Sequence, residues 1–163
     1  GVQPPQRPQL LDGEAPAGLW DTLAGQVAAA GFTLTRSEIA NGANGVTNFA
    51  LRTVTVAPHL SPAQAAKTLA HELAHVSMHT GTEYAAGCRG RAEIEAESVA
   101  YIVCSTAGLH SAGYSFGYVA HWAGGDMKAI KETADRVIST ARRHLDAMGL
   151  VASTGPVREA EAA

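Results

Sequence analysis

The sequence predicts an α+β domain of three to four helices with a small edge β-sheet, and three observations carry that reading. The chain has 163 residues, 46% hydrophobic and 17% charged, enough to bury a single core without a covalent staple. It holds 32 alanines and 17 glycines against 6% aromatics, so its helices should pack closely through small side chains. Its apolar residues recur at helical spacing in three long segments, and one stretch between the first two is β-favouring.

Taken in order, Gly18 to Ala30 carries Leu19, Trp20, Leu23 and Val27 at helical spacing, and Gly31 stops it. Phe32 to Arg36 alternates as a strand does. The turn cluster Asn41 to Gly45 then leads into two short strands, Val46–Phe49 and Arg52–Ala57, paired as a hairpin around Ala50-Leu51. Ser61-Pro62-Ala63-Gln64 is a helix start: serine caps, proline suits the first turn, and glutamine completes a capping box. That helix should reach Met78 or His79. A second runs from Arg91 to about Thr106, Tyr114 to Trp122 is a candidate short helix, and Asp126 caps a final helix ended by Gly149. In that last helix Ile130, Val137, Ile138, Ala141 and Leu145 should face inward, while Arg136, Arg142 and Arg143 lie on a solvated face. Residues 1–14 read as a Pro-rich linker or domain lead-in, 15–150 as the folded domain and 151–163 as a flexible tail.

Composition excludes several classes. The longest uncharged stretch, Ser98 to Gly125, is interrupted by Ser, Gly, His and Tyr, so no membrane span is expected. Two cysteines and seven histidines speak against a disulfide framework and for a reducing, cytoplasmic setting. Cys104 sits among apolar helix residues and belongs to the core, while Cys88 is an ordinary loop cysteine by default or a thiolate capping a latent metal. A net charge of −3 argues against a nucleic-acid surface built by this chain alone.

The chemistry is concentrated in His71-Glu72-Leu73-Ala74-His75, inside the helix that starts at Ser61. Positions i and i+4 share a helix face, so His71 and His75 can offer imidazole nitrogens to one metal ion. Glu72, one residue further round, can take the proton of a water that zinc has acidified to a pKa of about 7. A catalytic zinc needs a third protein ligand. His79 continues the spacing, but three ligands at i, i+4 and i+8 on a straight helix span about 12 Å, too far for one ion. Its ordinary reading is a polar residue near the helix C-terminus interacting with the dipole. The next helix offers Glu93, Glu95 and Glu97. Glu93 and Glu97 share one face, with Tyr101 continuing it, whereas Glu95 points away and can pair with Arg91. Glu93 is therefore the expected third ligand, and Glu97 the carboxylate that buttresses a histidine from behind the metal. Tyr114, Tyr118 and His121 recur at helical spacing, either as a packed amphipathic segment or with one of them lining the site.

Thr68-Leu-Ala-His-Glu-Leu-Ala-His75 followed by Glu93-Ile-Glu-Ala-Glu-Ser-Val-Ala100 resembles the ImmA/IrrE type of zinc metallopeptidase domain. It resembles still more closely the peptidase domain of ArdC-like antirestriction proteins, over about Leu11 to Gly149. The resemblance implies a compact zincin of the gluzincin kind, with one Zn2+ per chain held by His71, His75 and Glu93, Glu72 as catalytic glutamate and Glu97 at the polar position four residues on. It also implies that the Phe49 to Ala57 strand is the sheet edge beside the metal, to which an extended peptide adds by backbone hydrogen bonds. The expected activity is endopeptidic hydrolysis of a narrow, regulatory protein or peptide substrate. A second reading, from the same resemblance, is an antirestriction or DNA-associated binding module with little or no proteolysis. Because ArdC-like proteins usually carry an N-terminal single-stranded-DNA-binding domain, nucleic acid is expected only through a domain absent from this chain. The intact Glu72 favours the hydrolase, since a pure binding module has no need of a general base.

Overall fold

The computed structural model describes residues 10–79, 89–111 and 126–150. Among these residues four helices and a three-stranded sheet follow one another as α1 (Leu19–Ala29), β1 (Thr33–Arg36), β2 (Gly45–Asn48), β3 (Thr53–Val56), α2 (Pro62–Met78), α3 (Arg89–Thr106) and α4 (Met127–Ala147), with a 3-10 turn at Ala40–Gly42. The α+β prediction therefore holds. The candidate helix at Tyr114 to Trp122, with Tyr118 and His121 on it, lies outside the described residues, as do Cys88, residues 1–9 and the whole of the expected tail. No helix among the described residues is long and apolar enough to cross a membrane.

α2 is the centre of the molecule. It packs against α1, α3, β2 and β3, and every residue from Ala63 to Ala70 is buried. Such a helix has no wet face for most of its length, and alanines at 63, 65, 66, 70 and 74 let its neighbours approach closely. α3 answers with Ala92, Ala96 and Ala100 recurring every four residues on its buried side. Leu23, Val27, Leu69, Leu73, Val99, Val103 and Leu145 complete the apolar core from all four helices. Cys104 is buried among them, and that burial pushes its thiol up to about 12, so it is inert core.

The start of α2 is tied down by hydrogen bonds that differ in one respect from the expected capping box. Ser61 Oγ accepts from Gln64 N, as predicted, and donates to the carbonyl of Leu11 at 2.6 Å. The Gln64 side chain does not return to Ser61. Its Oε1 accepts from Leu11 N at 2.9 Å and its Nε2 donates to Thr68 Oγ1 at 3.0 Å. The incoming chain at Leu11 competes for that carboxamide and wins it, so residue 11 is docked against α2.

The sheet order is β1-β3-β2, with β1 parallel and β2 antiparallel to β3. This corrects the placing of the Phe49 to Ala57 strand at the sheet edge: β3 is the central strand, its Val54 and Val56 wholly buried. The edge strand that runs over α2 is β2. The reason is steric. At Gly45 a Cβ would stand 2.6 Å from Thr68 Cγ2 and 2.8 Å from Glu72 Oε1, so only glycine lets this strand come down onto the helix.

α4 closes the other side, capped by Asp126, which accepts from the backbone N–H groups of Lys128 and Ala129, and ended by Gly149 at φ 71°. Its buried line is Thr133, Val137, Thr140, Ala141, His144 and Leu145. Ile138 was expected inside but is 50% exposed, because it falls a full helical step off that line. His144 joins three helices: its Nδ1 donates to Gln26 Oε1 at 2.6 Å and its Nε2 lies 3.1 Å from Ser77 Oγ. Burial, with help from Arg143, lowers its pKa to about 4 and keeps the imidazole neutral.

Ser61→Ala should cost about 1 kcal/mol by removing the cap, on the usual scale for such losses. In a thermal melt that corresponds to a drop of roughly 2–4 °C for a domain of this size, and an unchanged melt would show that the Leu11 and Gln64 contacts contribute nothing.

Candidate metal centre

α2 and α3 cross so that His71, His75 and Glu93 converge. His71 Nε2 lies 3.1 Å from His75 Nε2. Glu93 Oε2 lies 3.2 Å from His71 Nε2, and its Oε1 3.2 Å from His75 Nε2. These three can offer one ligand atom each within 4.8 Å of one another, the one such His/Cys/Asp/Glu group among the described residues. Zinc ligands at 2.0–2.1 Å in a tetrahedron stand about 3.3 Å apart. The imidazole nitrogens stand near that edge length, and the Glu93 carboxylate reaches each of them through a different oxygen, so the two imidazoles and the carboxylate form a donor set of the kind that holds zinc.

Electrostatics support the same fit. His71 is caught between carboxylates: its Nε2 faces Glu93 and its Nδ1 lies 3.0 Å from Glu97 Oε2. Burial works to lower its pKa, but Glu93, Glu97 and Glu72 together carry it up to about 10. Burial likewise works to raise Glu93 and Glu97. Hydrogen bonds from His71 and His75 hold Glu93 far below the usual carboxylate range, and His71 with Lys67 takes Glu97 down to about 2. Lys67 Nζ sits 2.9 Å from Glu97 Oε1, almost wholly buried. The cluster thus demands a positive charge at its centre, and in the metal-free chain a proton on His71 supplies it.

Glu72 is 6% exposed, close enough for its charge to help raise His71, and its carboxylate also meets the sheet. Its Oε2 accepts from Thr47 Oγ1 of β2 at 2.7 Å, which fixes the carboxylate between the helix and the edge strand. No role for Thr47 or Gly45 follows from the sequence, because nothing local connects them to residue 72. Lys67 could have been found: 67, 71, 75 and 79 form one i+4 line on α2. Tyr101 is on α3, half-buried, eight residues beyond Glu93.

Glu95 pairs with Arg91, as expected, through Nε at 2.7 Å. It is also bound by Arg136 Nε of α4 at 3.0 Å, and it is only 1% exposed. Arg136 therefore does not belong to a purely solvated face. His79 likewise differs from a wet residue at a helix end. It is buried, and its Nδ1 turns back to within 2.9 Å of His75 Nδ1.

A model of the peptidase M78 family, described as the IrrE N-terminal-like domain, matches residues 28–133, well over half of the chain and all of α2 and α3. No curated protein and no solved structure matches it significantly. The family implies a bound metal. The match agrees with the ImmA/IrrE side of the resemblance and carries no finer assignment to the ArdC-like group.

The pKa shifts give a pH signature. The Glu97 contribution to stability is complete above 4.5 and is lost as pH falls toward about 2. The His71 contribution is complete below 6.5 and is lost as pH rises toward about 10. Metal-free chain should therefore lose stability across the alkaline range in urea titrations, and added zinc should flatten that loss; an alkaline limb that is flat without metal would contradict the charge balance described. Glu93→Ala should weaken zinc binding in chelator competition by more than the roughly 10–100-fold typical of groups behind a ligand, and by more than Glu95→Ala does.

Proposed function

We propose that this chain, which belongs to the peptidase M78 family of IrrE N-terminal-like domains, is a zinc metalloendopeptidase in which His71, His75 and Glu93 hold one Zn2+ and Glu72 is the general base. The observation that carries the reading is the convergence of two imidazole nitrogens and a carboxylate, one ligand atom from each lying within 4.8 Å of the others, with a second carboxylate, Glu72, held close by through Thr47. When bound, zinc would polarise the scissile carbonyl and acidify the attacking water.

The chain's own groups do the remaining work. Glu72 accepts the proton of the attacking water and passes it to the leaving amide nitrogen. The Thr47 hydroxyl donates to Oε2 and leaves Oε1 as the oxygen that moves the proton. Glu97 orients His71 by accepting at Nδ1, and Lys67 keeps Glu97 ionised while it does so. β2 runs past Glu72, and its outer edge carries no strand among the described residues. An extended peptide would add there by backbone hydrogen bonds, which suits a protein substrate presented as an unfolded segment. Tyr101 is the candidate on α3 for steadying the oxyanion, and Tyr118 and His121 are candidates beyond the described residues.

The test is unbiased peptide-library cleavage with metal analysis. Wild type should hold about one zinc and cleave; Glu72→Gln should hold zinc equally and lose cleavage by at least about 100-fold, the scale of a general base. A wild type that rejects zinc, or a Glu72→Gln variant of full activity, would overturn the assignment.

A further inference from the structure

His75 has two ring nitrogens and the proposed site uses one. Its Nε2 faces His71 and Glu93, while its Nδ1 lies 2.9 Å from His79 Nδ1. Two imidazole nitrogens can share a hydrogen bond only if one carries the hydrogen and the other does not. A neutral histidine that gives Nε2 to a metal must carry its hydrogen on Nδ1, so His75 donates and His79 accepts. His79 is then obliged to hold its own hydrogen on Nε2.

That Nε2 is buried and has no hydrogen-bond partner among the described residues. The nearest acceptor is Glu95 Oε2 at 3.9 Å. Glu95 is 1% exposed, and both of its arginine partners keep a third or more of their side chains in solvent. Neither arginine needs a buried partner, and burying a carboxylate is costly. Glu95 Oε2, which accepts from Arg136 Nε, has lone-pair capacity to spare and is the oxygen 3.9 Å from His79.

We infer that His79 and Glu95 are positioning residues for His75. They form a line from the carboxylate through one imidazole to the next and so to the metal, anchored on α4 by Arg136. Glu95 sets the His79 tautomer, His79 Nδ1 takes the His75 hydrogen, and the His75 ring is thereby held with Nε2 toward Glu93. Closing the 3.9 Å separation to a hydrogen bond requires a movement of about 0.8–1 Å, well within side-chain reach. His71 gets the same service from Glu97 directly. The inference rests on zinc being held by His71, His75 and Glu93.

The experiment compares wild type, His79→Leu and His79→Asn as full chains. Leucine keeps bulk without an acceptor, and asparagine places an amide oxygen where Nδ1 was. In chelator competition His79→Leu should bind zinc about 10–100-fold more weakly, while His79→Asn should recover most of the loss. Equal affinity in His79→Leu, or equal loss in both variants, would overturn the relay in favour of simple packing. Long-range proton–nitrogen spectra of zinc-loaded wild type give a readout that does not depend on a variant folding. They should show His75 with hydrogen on Nδ1 and His79 with hydrogen on Nε2; hydrogen on His79 Nδ1 would overturn the inference. Wild type that binds no zinc would instead overturn the metal assignment itself.

Discussion

A helix buried on nearly every side, yet bearing two imidazoles and a carboxylate, imposes one constraint on everything around it. Each of those polar groups must find a partner inside the protein, because an unmet buried polar group costs as much as a good hydrogen bond contributes. The surrounding elements divide that duty. β2 brings Thr47 to Glu72, and α3 brings Glu93 and Glu97 to His71. α2 supplies Lys67 and His79 from its own stripe, and α4 reaches the network through Arg136 and Glu95. The fold is an arrangement for satisfying α2, and the candidate site is what that satisfaction looks like from the inside.

Much of this was legible in the order of residues. Ser61-Pro62 located the start of α2 to the residue, the i, i+4 histidines fixed which face mattered, and three glutamates within five positions narrowed the choice of third ligand. Those are local patterns, and helical geometry converts them directly into positions in space. What was not legible depends on contacts between distant segments. No local rule links Gly45 or Thr47 to Glu72, and the order of strands in a three-stranded sheet does not follow from their alternation. Ile138 shows another limit: an apolar residue one step off a buried line satisfies a loose helical pattern without being inside. Gln64 fitted a capping box, but a competing donor at Leu11 lay too far away in sequence to be foreseen.

The charge arithmetic also changes meaning once the site is drawn. The formal −3 of the chain counts Glu93, Glu95 and Glu97 as if they were surface groups. Glu95 is met by two arginines that keep a third or more of their side chains in solvent, and Glu97 by Lys67 and His71. Glu93, Glu95 and Glu97 are balanced by Lys67, Arg91 and Arg136, so the −3 stays with the other groups of the chain, whereas the interior is sharply polarised around the candidate site. This division explains how a chain with few charges can still present a strong local field where chemistry is proposed.

Among the described residues the outer edge of β2 has no partner strand, and that has a cost of another kind. A strand with unpaired backbone groups is a template for any extended chain, including another copy of the same protein. β2 carries no lysine or proline to blunt it, and its Val46 is 42% exposed. Its protection is brevity: four residues offer too short a ladder for lasting self-association. Lengthening this strand by even a pair of residues would lengthen the exposed ladder, so the turns that end it also limit the edge on which another chain could pair.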